Sequence, residues 1–404
     1  MDLISANDQP VVPVPLILPS REGGHAQTVP AFSSALLCPV EVNSLDNLAP
    51  YREDWNRLLK VTPGATYFHS YDWLASYWRH HGHSEDQRLR TILVLHGDKI
   101  VGIVPLVVRR EVTKVGLLRA LTYPLHGWGS FYGPIGAHPQ QLLNCAMDRI
   151  RHSPRNWDLL DLRWVDQATE TADHSHRALH SAGFPARRAP WLESAVIELH
   201  DGWNLYWADR KAHWRTNVRR GERRLREKGK LEFVRYRPEP NADPRWDLYD
   251  ICEQLAAKSW QGSSRTGTTL SHDSVRAYLR DAHAAAAGFG SLDMNLLYIN
   301  GQPSAFGYNY QYQGHVYGLR VGFDASLSME GAGTVLQKMM IEDSCRRGDY
   351  MIDLGPGSLH CKRHWRTRIA VAERMTHYSL TSPRAQALRL LHAVKMRSNH
   401  GSQL

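Results

Sequence analysis

The chain has 404 residues, 42% of them hydrophobic and 22% charged, a composition that excludes fibrous and disordered classes and gives room for two domains. No apolar run reaches the roughly 20 residues that a membrane-crossing helix needs. The five cysteines (Cys38, Cys145, Cys252, Cys345, Cys361) form no CxxC pair, and the proline-broken N-terminus lacks the basic segment and cleavage site of a signal peptide, so reduced thiols and a cytoplasmic location are expected. A net charge of +9 favours anionic ligands such as CoA phosphates, nucleotide-linked sugars, anionic lipid headgroups or RNA, and chooses none of them.

Residues 1–45, rich in Pro, Ser and Gly, read as a flexible lead-in. Apolar spacing predicts helices over 51–59 and 70–80, the second with Ser70 as its N-cap. Strands 90–95 and 100–109 follow, joined by the hairpin signal His96-Gly97-Asp98-Lys99. A helix over 140–151, a buried strand over 157–165 and a helix over 174–182, closed by Gly183, complete the first half. The second half opens with a long helix over 204–227, with Trp207, Trp214, Val218 and Leu225 on one side. Much of the positive charge lies between Arg210 and Lys230. Aromatic residues there share the apolar face and do not interleave with the basic one, so a solvated helix face is a better reading than a nucleic-acid groove. A strand over 231–237 and helices over 245–260 and 271–286 come next. An antiparallel meander (294–299, 304–312, 315–323) then turns at Asn300-Gly301 and Gln313-Gly314. Gly331 and Gly333 open a helix over 334–347. Strand 350–354, the turn Gly355-Pro356-Gly357, strand 370–380 and a basic helix over 382–396 finish the chain.

The segment from Phe323 to Trp365 carries the chemistry. A glycine loop at a helix N-terminus presents unpaired backbone N–H groups at the positive end of the helix dipole, which suits a phosphate or pyrophosphate. Gly331, Ala332, Gly333 and Thr334 are the residues so placed. There is also an internal echo. Leu93–Gly102 resembles Leu297–Phe306, and Trp157-Asp158-Leu159-Leu160-Asp161-Leu162 resembles Asp349-Tyr350-Met351-Ile352-Asp353-Leu354. The echo implies two related α/β domains. In the first, Gly133-Pro134-Ile135-Gly136-Ala137 is too interrupted by proline to cradle a phosphate, so that domain reads as a substrate platform.

With these markers in place the chain resembles GNAT-type acyltransferases of the FemAB-like, CelD (BcsL)-type group. The resemblance runs from about Tyr51 to Leu380. It rests on Ser70-Tyr71-Asp72-Trp73-Leu74, Asn217-Val218-Arg219-Arg220, Lys258-Ser259-Trp260-Gln261-Gly262, Asn300-Gly301-Gln302-Pro303, and Asp353-Leu354-Gly355-Pro356-Gly357 leading to Lys362 and Trp365. Two departures stand out: Ser328 replaces the basic residue that usually opens the pyrophosphate loop, with Glu330 beside its glycines, and Cys361 stands where relatives carry Tyr.

The resemblance implies an α/β (α+β) fold of two tandem GNAT-like domains, each a mixed, largely antiparallel sheet flanked by helices. The domains would be residues 46–194 (substrate platform) and 195–385 (acyl-CoA site), followed by a basic tail over 386–404. It implies acyl-CoA, with no metal, as co-substrate, and pairing of the pantetheine arm with the strand edge at Val321, Gly322 and Phe323. Asp353 is a candidate base for the amine, with His360 its rival. Lys362 is a candidate for the oxyanion or for an anionic substrate group. Trp260 and Tyr308 are expected to line the acceptor pocket. The leading expectation is acyl transfer, with acetyl the first choice, to a small-molecule or sugar amine in envelope or exopolysaccharide biosynthesis. Alternatives are a tRNA-dependent aminoacyl transferase acting on a peptidoglycan precursor, and a catalytically inactive scaffold of a polysaccharide-synthesis complex. Nucleic acid is an expected partner only in the tRNA reading, and peripheral contact with an anionic membrane is compatible with the charge.

Overall fold

The structure, a computed structural model, describes residues 36–82, 87–124, 127–167, 170–259, 262, 267, 269–327 and 331–401. In chain order the first half holds β1 (Leu37–Val42), α1 (Leu45–Leu48), α2 (Arg52–Lys60), α3 (Tyr71–His81), β2 (Gln87–Leu89), β3 (Thr91–His96), β4 (Lys99–Val104), β5 (Val107–Thr113), β6 (Gly116–Thr122), α4 (Pro139–Arg151), β7 (Leu159–Asp166) and α5 (Thr171–Ser181). The second half holds β8 (Arg187–Glu198), α6 (Gly202–Asp209), α7 (Ala212–Lys228), β9 (Leu231–Tyr236), α8 (Trp246–Lys258), α9 (Asp273–Phe289), β10 (Leu292–Ile299), β11 (Gln302–Tyr312), β12 (His315–Phe323), α10 (Ala332–Arg347), β13 (Met351–Pro356), α11 (Leu359–Lys362), β14 (Arg368–Tyr378) and α12 (Pro383–Gly401).

Several sequence expectations change for local reasons. Leu37–Val42, read as part of the lead-in, forms an antiparallel pair with β3. The strand expected over 100–109 ends at Val104 and resumes at Val107, because Pro105 between them has no N–H to give a ladder. The helix expected over 204–227 is two helices. Arg210 takes an extended conformation between α6 and α7, and its guanidinium donates to the carbonyls of Trp365 (3.3 Å) and Arg366 (2.9 Å). β6 and β8 have no counterpart in the expected elements. The N-terminal part of β8 has no buried residue and carries Arg187, Arg188, Pro190 and Glu193, so it lacks the continuous apolar signature of a buried strand.

Among the described residues the strands form a three-stranded sheet, β1-β3-β4, and an eleven-stranded sheet in the order β2-β5-β6-β7-β14-β8-β13-β12-β11-β10-β9. The fold is thus mixed α/β. Most pairs are antiparallel, but two are parallel: β6 with β7 and β12 with β13. Each parallel pair is joined through a helix, α4 or α10, as a crossover between parallel strands demands. Their last strands, β7 and β13, carry the Asp-Leu part of the echo, whereas its other part falls on β3–β4 of the three-stranded sheet and β10–β11 of the larger one. β14 lies between β7 and β8, antiparallel to both, so a late strand closes the middle of the sheet. Asp161 on β7 anchors it. Its buried carboxylate accepts from Arg374 (2.6 and 2.9 Å) and Thr376 (2.9 Å) of β14, and from Arg163 (2.6 Å).

An aromatic seam joins the halves. Trp73 of α3 meets Tyr278 of α9 at 5.8 Å between ring centroids, and Tyr67 meets Tyr310 of β11 at 4.8 Å, both edge to face, a favoured geometry for buried rings. At the far edge of the sheet Arg235, near the end of β9, and Arg237, just past it, enter a buried ion network. Arg235 makes a bidentate contact with Asp293 of β10 (2.7 and 2.8 Å) and reaches Asp343 (3.2 Å) and Ser344 (3.0 Å) of α10. Arg237 holds Asp349, just before β13, at 2.9 and 2.6 Å.

Burial alone would raise the Asp293 carboxyl, but Arg235 and Arg237 outweigh it and hold the group well below the usual carboxylate range. Its stabilising share is therefore complete above its unfolded value, about 3.9, and is lost as pH falls. Asp293→Asn should lower stability by about 3–5 kcal/mol at neutral pH, because it leaves two buried cations short of a counter-charge. It should also flatten the acid side of the stability profile. Urea unfolding between neutral and acid pH checks this, and a variant as stable as the native chain would refute it.

Candidate active site

The parallel pairing of β12 with β13 is short. His315 faces Met351, Val316 faces Ile352 and Tyr317 faces Asp353. Beyond Asp353, β13 turns toward β8, where Pro356 faces Ser194. β12 meanwhile continues to Phe323 paired with β11. The strands therefore part at Tyr317 and Asp353, and the edge of β12 from Gly318 to Phe323 has no described ladder partner on the β13 side. At about 3.3 Å per residue, the six steps from Tyr317 to Phe323 make an edge of roughly 20 Å.

A β-bulge marks the apex of this cleft. Asn309 faces Gly318 but Tyr308 faces Arg320, so Leu319 is an extra residue on β12. A bulged residue is left out of the ladder and its strand bends. At the mouth, Gly331 caps α10 in the left-handed conformation (φ 80°). There, Gly333 lies so close to Phe323 that a Cβ would meet its ring at 2.9 Å. Together they place the N-terminal N–H groups of α10 beside the outer end of the β12 edge. Ala332 is buried, and Thr334 is half-buried. Val321 is exposed and Phe323 half-buried, whereas Gly322 is buried against Phe306, which a Cβ would meet at 2.4 Å. Gly322 is thus required by side-chain packing beneath the strand. Ser328, Met329 and Glu330 lie outside the described residues.

At the apex Asp353 is buried, and its Oδ1 accepts the backbone N–H of Gly355 at 2.7 Å. Burial raises its carboxyl to about 6, against the opposing pull of that N–H and of the Lys362 charge, while Asp166 at the end of β7 adds a further raising influence. The Lys362 ammonium donates to the carbonyls of Gly355 (2.7 Å) and Pro356 (2.8 Å). Two of its three donors are thus spent on holding the turn, and burial lowers its pKa despite Asp353. The strap carrying Lys362 is tied down from above: the Tyr206 hydroxyl donates to the Trp365 carbonyl at 2.7 Å, beside the Arg210 contacts.

Arg320, just beyond the bulge, is a residue that the sequence reading passed over. Its guanidinium lies 3.8 Å from the centroid of the Trp128 ring, and burial lowers its pKa to about 10. The visible signal was a lone Arg in the otherwise uncharged run Val316–Phe323. The apex thus unites Asp353, Lys362 and Arg320 with Asp166 and Trp128 of the first half. His360 is on the exposed side of α11. Tyr308 is fully buried, with its hydroxyl 3.1 Å from His283 Nδ1 and 3.5 Å from the Tyr310 hydroxyl, which places it in the core beneath the sheet rather than on an open wall. Trp260 lies outside the described residues. The counterpart of Asp353 in the first half is Asp161, whose carboxyl is fully engaged by two arginines and a threonine.

Residues 212–363 match the family model described as an acetyltransferase (GNAT) domain, a stretch that contains β12, α10, β13 and Lys362. No curated protein sequence matches the chain. Among solved structures, the crystal structure of FemX is similar at 11% identity with a TM-score of 0.58, over 84% of this chain and 98% of that one. A conserved protein of unknown function from Bacteroides thetaiotaomicron (15% identity, TM-score 0.48, 84% of this chain and 100% of that one) and a tandem GNAT protein from the clavulanic acid biosynthesis pathway (12%, 0.46, 86% and 99%) are weaker likenesses. The matched domain and the FemX likeness agree on a GNAT-type fold.

A carboxyl raised in the folded state makes stability fall as pH rises from its unfolded value toward about 6. Asp353→Asn, whose amide oxygen still accepts the Gly355 N–H, should therefore be at least as stable as the native chain at pH 8. Thermal unfolding at acid and alkaline pH measures the difference. A variant clearly less stable at pH 8 would show that the ionised carboxylate is held by stabilising contacts.

Proposed function

We propose that this protein is an N-acyltransferase that moves an acyl group, acetyl in the simplest case, from acyl-CoA to an amine bound between the two halves of the chain. The observation that carries the reading is the parting of β12 from β13, with a buried, near-neutral carboxyl at the apex and a glycine-capped helix at the mouth. The N-terminus of α10 suits the pyrophosphate, and the unpaired edge of β12 suits an extended pantetheine arm through main-chain hydrogen bonds. The amine nitrogen attacks the thioester carbonyl and passes its proton to the Asp353 carboxylate, directly or through water. The C–S bond then breaks and the thiolate leaves. The nearby cations of Lys362 and Arg320 favour the oxyanion that forms between these events.

The first half supplies the acceptor platform, since its own equivalent carboxylate, Asp161, is neutralised by arginines. An amino sugar of envelope or exopolysaccharide synthesis is the acceptor that the family resemblance implies. A second reading, transfer from an aminoacyl-tRNA, draws on one observation: Arg219, Arg220 and Arg223 of α7 are exposed. A donor held mainly through such phosphate contacts would show steep salt dependence.

Calorimetry with acetyl-CoA and CoA tests the donor. The native chain and Asp353→Asn should bind, whereas Gly333→Val, which drives a side chain against Phe323 at the mouth, should not. No binding of either CoA form to the native chain would overturn the reading and direct the search to tRNA-borne donors.

Thiol release with amine acceptors tests the chemistry. Because the base must be ionised, kcat/KM should rise with pH through about 6. Lys362→Met removes a cation that favours the carboxylate, so this limb should move to higher pH. Asp353→Asn should lower kcat by about 10²–10⁴-fold. A full rate in Asp353→Asn would remove this residue from the mechanism.

A further inference from the structure

α12 is apolar on two opposite faces. Its inner residues Ala385 and Leu388 are buried in a cluster with Leu118, Ala120, Leu159 and Tyr378, and His392 Nδ1 lies 2.8 Å from the Tyr378 hydroxyl. Its outer face follows helical spacing through Pro383, Ala387, Leu390, Leu391 and Val394. All five are exposed. Leu390, Leu391 and Val394 are 64%, 45% and 65% exposed, and Leu380 at the foot of the helix is 75% exposed. Single exposed apolar residues need no explanation, but an apolar stripe along a helix already anchored by its other face does.

The charge around this stripe has one sign. From Pro383 to Gly401 the sequence holds no Asp or Glu, and Arg384 and Arg389 flank the apolar face. At the foot of the helix is a hollow of about 420 Å³ whose lining includes Arg119, Arg155, Arg384, Ser379 and Ser382, with Asp158 its sole carboxylate. The three guanidiniums have modest partners. Arg155 donates to the Ser379 hydroxyl at 2.8 Å, Arg119 lies 3.5 Å from Asp158, and Arg384 donates to the Leu117 carbonyl at 3.4 Å. No helix among the described residues is long and apolar enough to cross a membrane. An apolar stripe edged with cations, lying flat on the protein and ending at an arginine-lined hollow, matches the chemistry of an anionic bilayer surface, with acyl chains for the stripe and headgroup phosphates for the arginines.

We propose that the outer face of α12 and the hollow at its foot dock the protein on an anionic phospholipid membrane. The test is sedimentation of the full chain with vesicles of phosphatidylcholine alone and of phosphatidylcholine containing one quarter phosphatidylglycerol. The native chain should bind the second and not the first, and added salt should weaken binding. The double variant Leu390→Glu, Val394→Glu alters only exposed side chains, so its thermal midpoint should be unchanged while its partition coefficient falls by about tenfold or more. Arg119→Gln with Arg384→Gln should bind several-fold more weakly and with less salt dependence. Three results would overturn the proposal. One is no binding above the phosphatidylcholine control. Another is binding indifferent to the Leu390 and Val394 changes. The third is a native dimer that the glutamate variant converts to monomer without any vesicle binding, which would assign the face to a second copy of the chain.

Discussion

The cleft depends on a set of buried charges that never touch it. Arg235 stands on the edge strand β9 and Arg237 just past its end, and their carboxylate partners come from β10, from the last turns of α10 and from Asp349, shortly before β13. One electrostatic knot therefore fixes where α10 ends and where β13 begins. A buried pair of this kind is poor evidence for net stability, because desolvation consumes most of the attraction. Its use here is geometric: guanidiniums demand planar, directional partners, and that demand sets the position of β13 before it diverges from β12.

From that starting point the cleft is shaped by what each strand does next. β13 is drawn to β8, and its turn is clamped by Lys362 and by the Asp353 carboxylate. β12 is bent by a bulge at Leu319 and stays with β11. The same strand–helix–strand unit in the first half takes another course. There Asp161 is engaged by Arg374 and Thr376 of β14 and by Arg163 of its own strand, whereas Asp353 accepts the Gly355 N–H. The two halves repeat a topology but not a chemistry, and the difference lies in whether an arginine-bearing strand passes beside the aspartate.

The sequence disclosed most where signals were local. The meander turned at Asn300-Gly301 and Gln313-Gly314 as read, and both glycines have positive φ. The Gly331–Gly333 opening of α10 and the GNAT-type fold were also legible, as was the strand bearing Asp-Leu in each half, although β7 and β13 both run on past that pair. What escaped was set by distant partners. β8 was hidden because its first half is unburied and interrupted by charges and a proline, and only its pairing with β13 and β14 makes it a strand. The bulge at Leu319 has no residue signature, and Arg320 gains meaning only from Trp128 lying against it. Tyr308, expected to line the acceptor pocket, is buried with its hydroxyl against His283.

The position of β14 also bears on how the protein is made. Its partners β7 and β8 end at Asp166 and Glu198, but the strand that separates them spans residues 368–378. During synthesis β7 and β8 must therefore wait, with their facing edges unpaired, while residues 199–367 emerge. Unsatisfied edges of that kind invite pairing with other chains, and long-range closure is slow. The exposed charges along the first part of β8 are suited to this interval, since they keep one waiting edge soluble until its neighbour arrives.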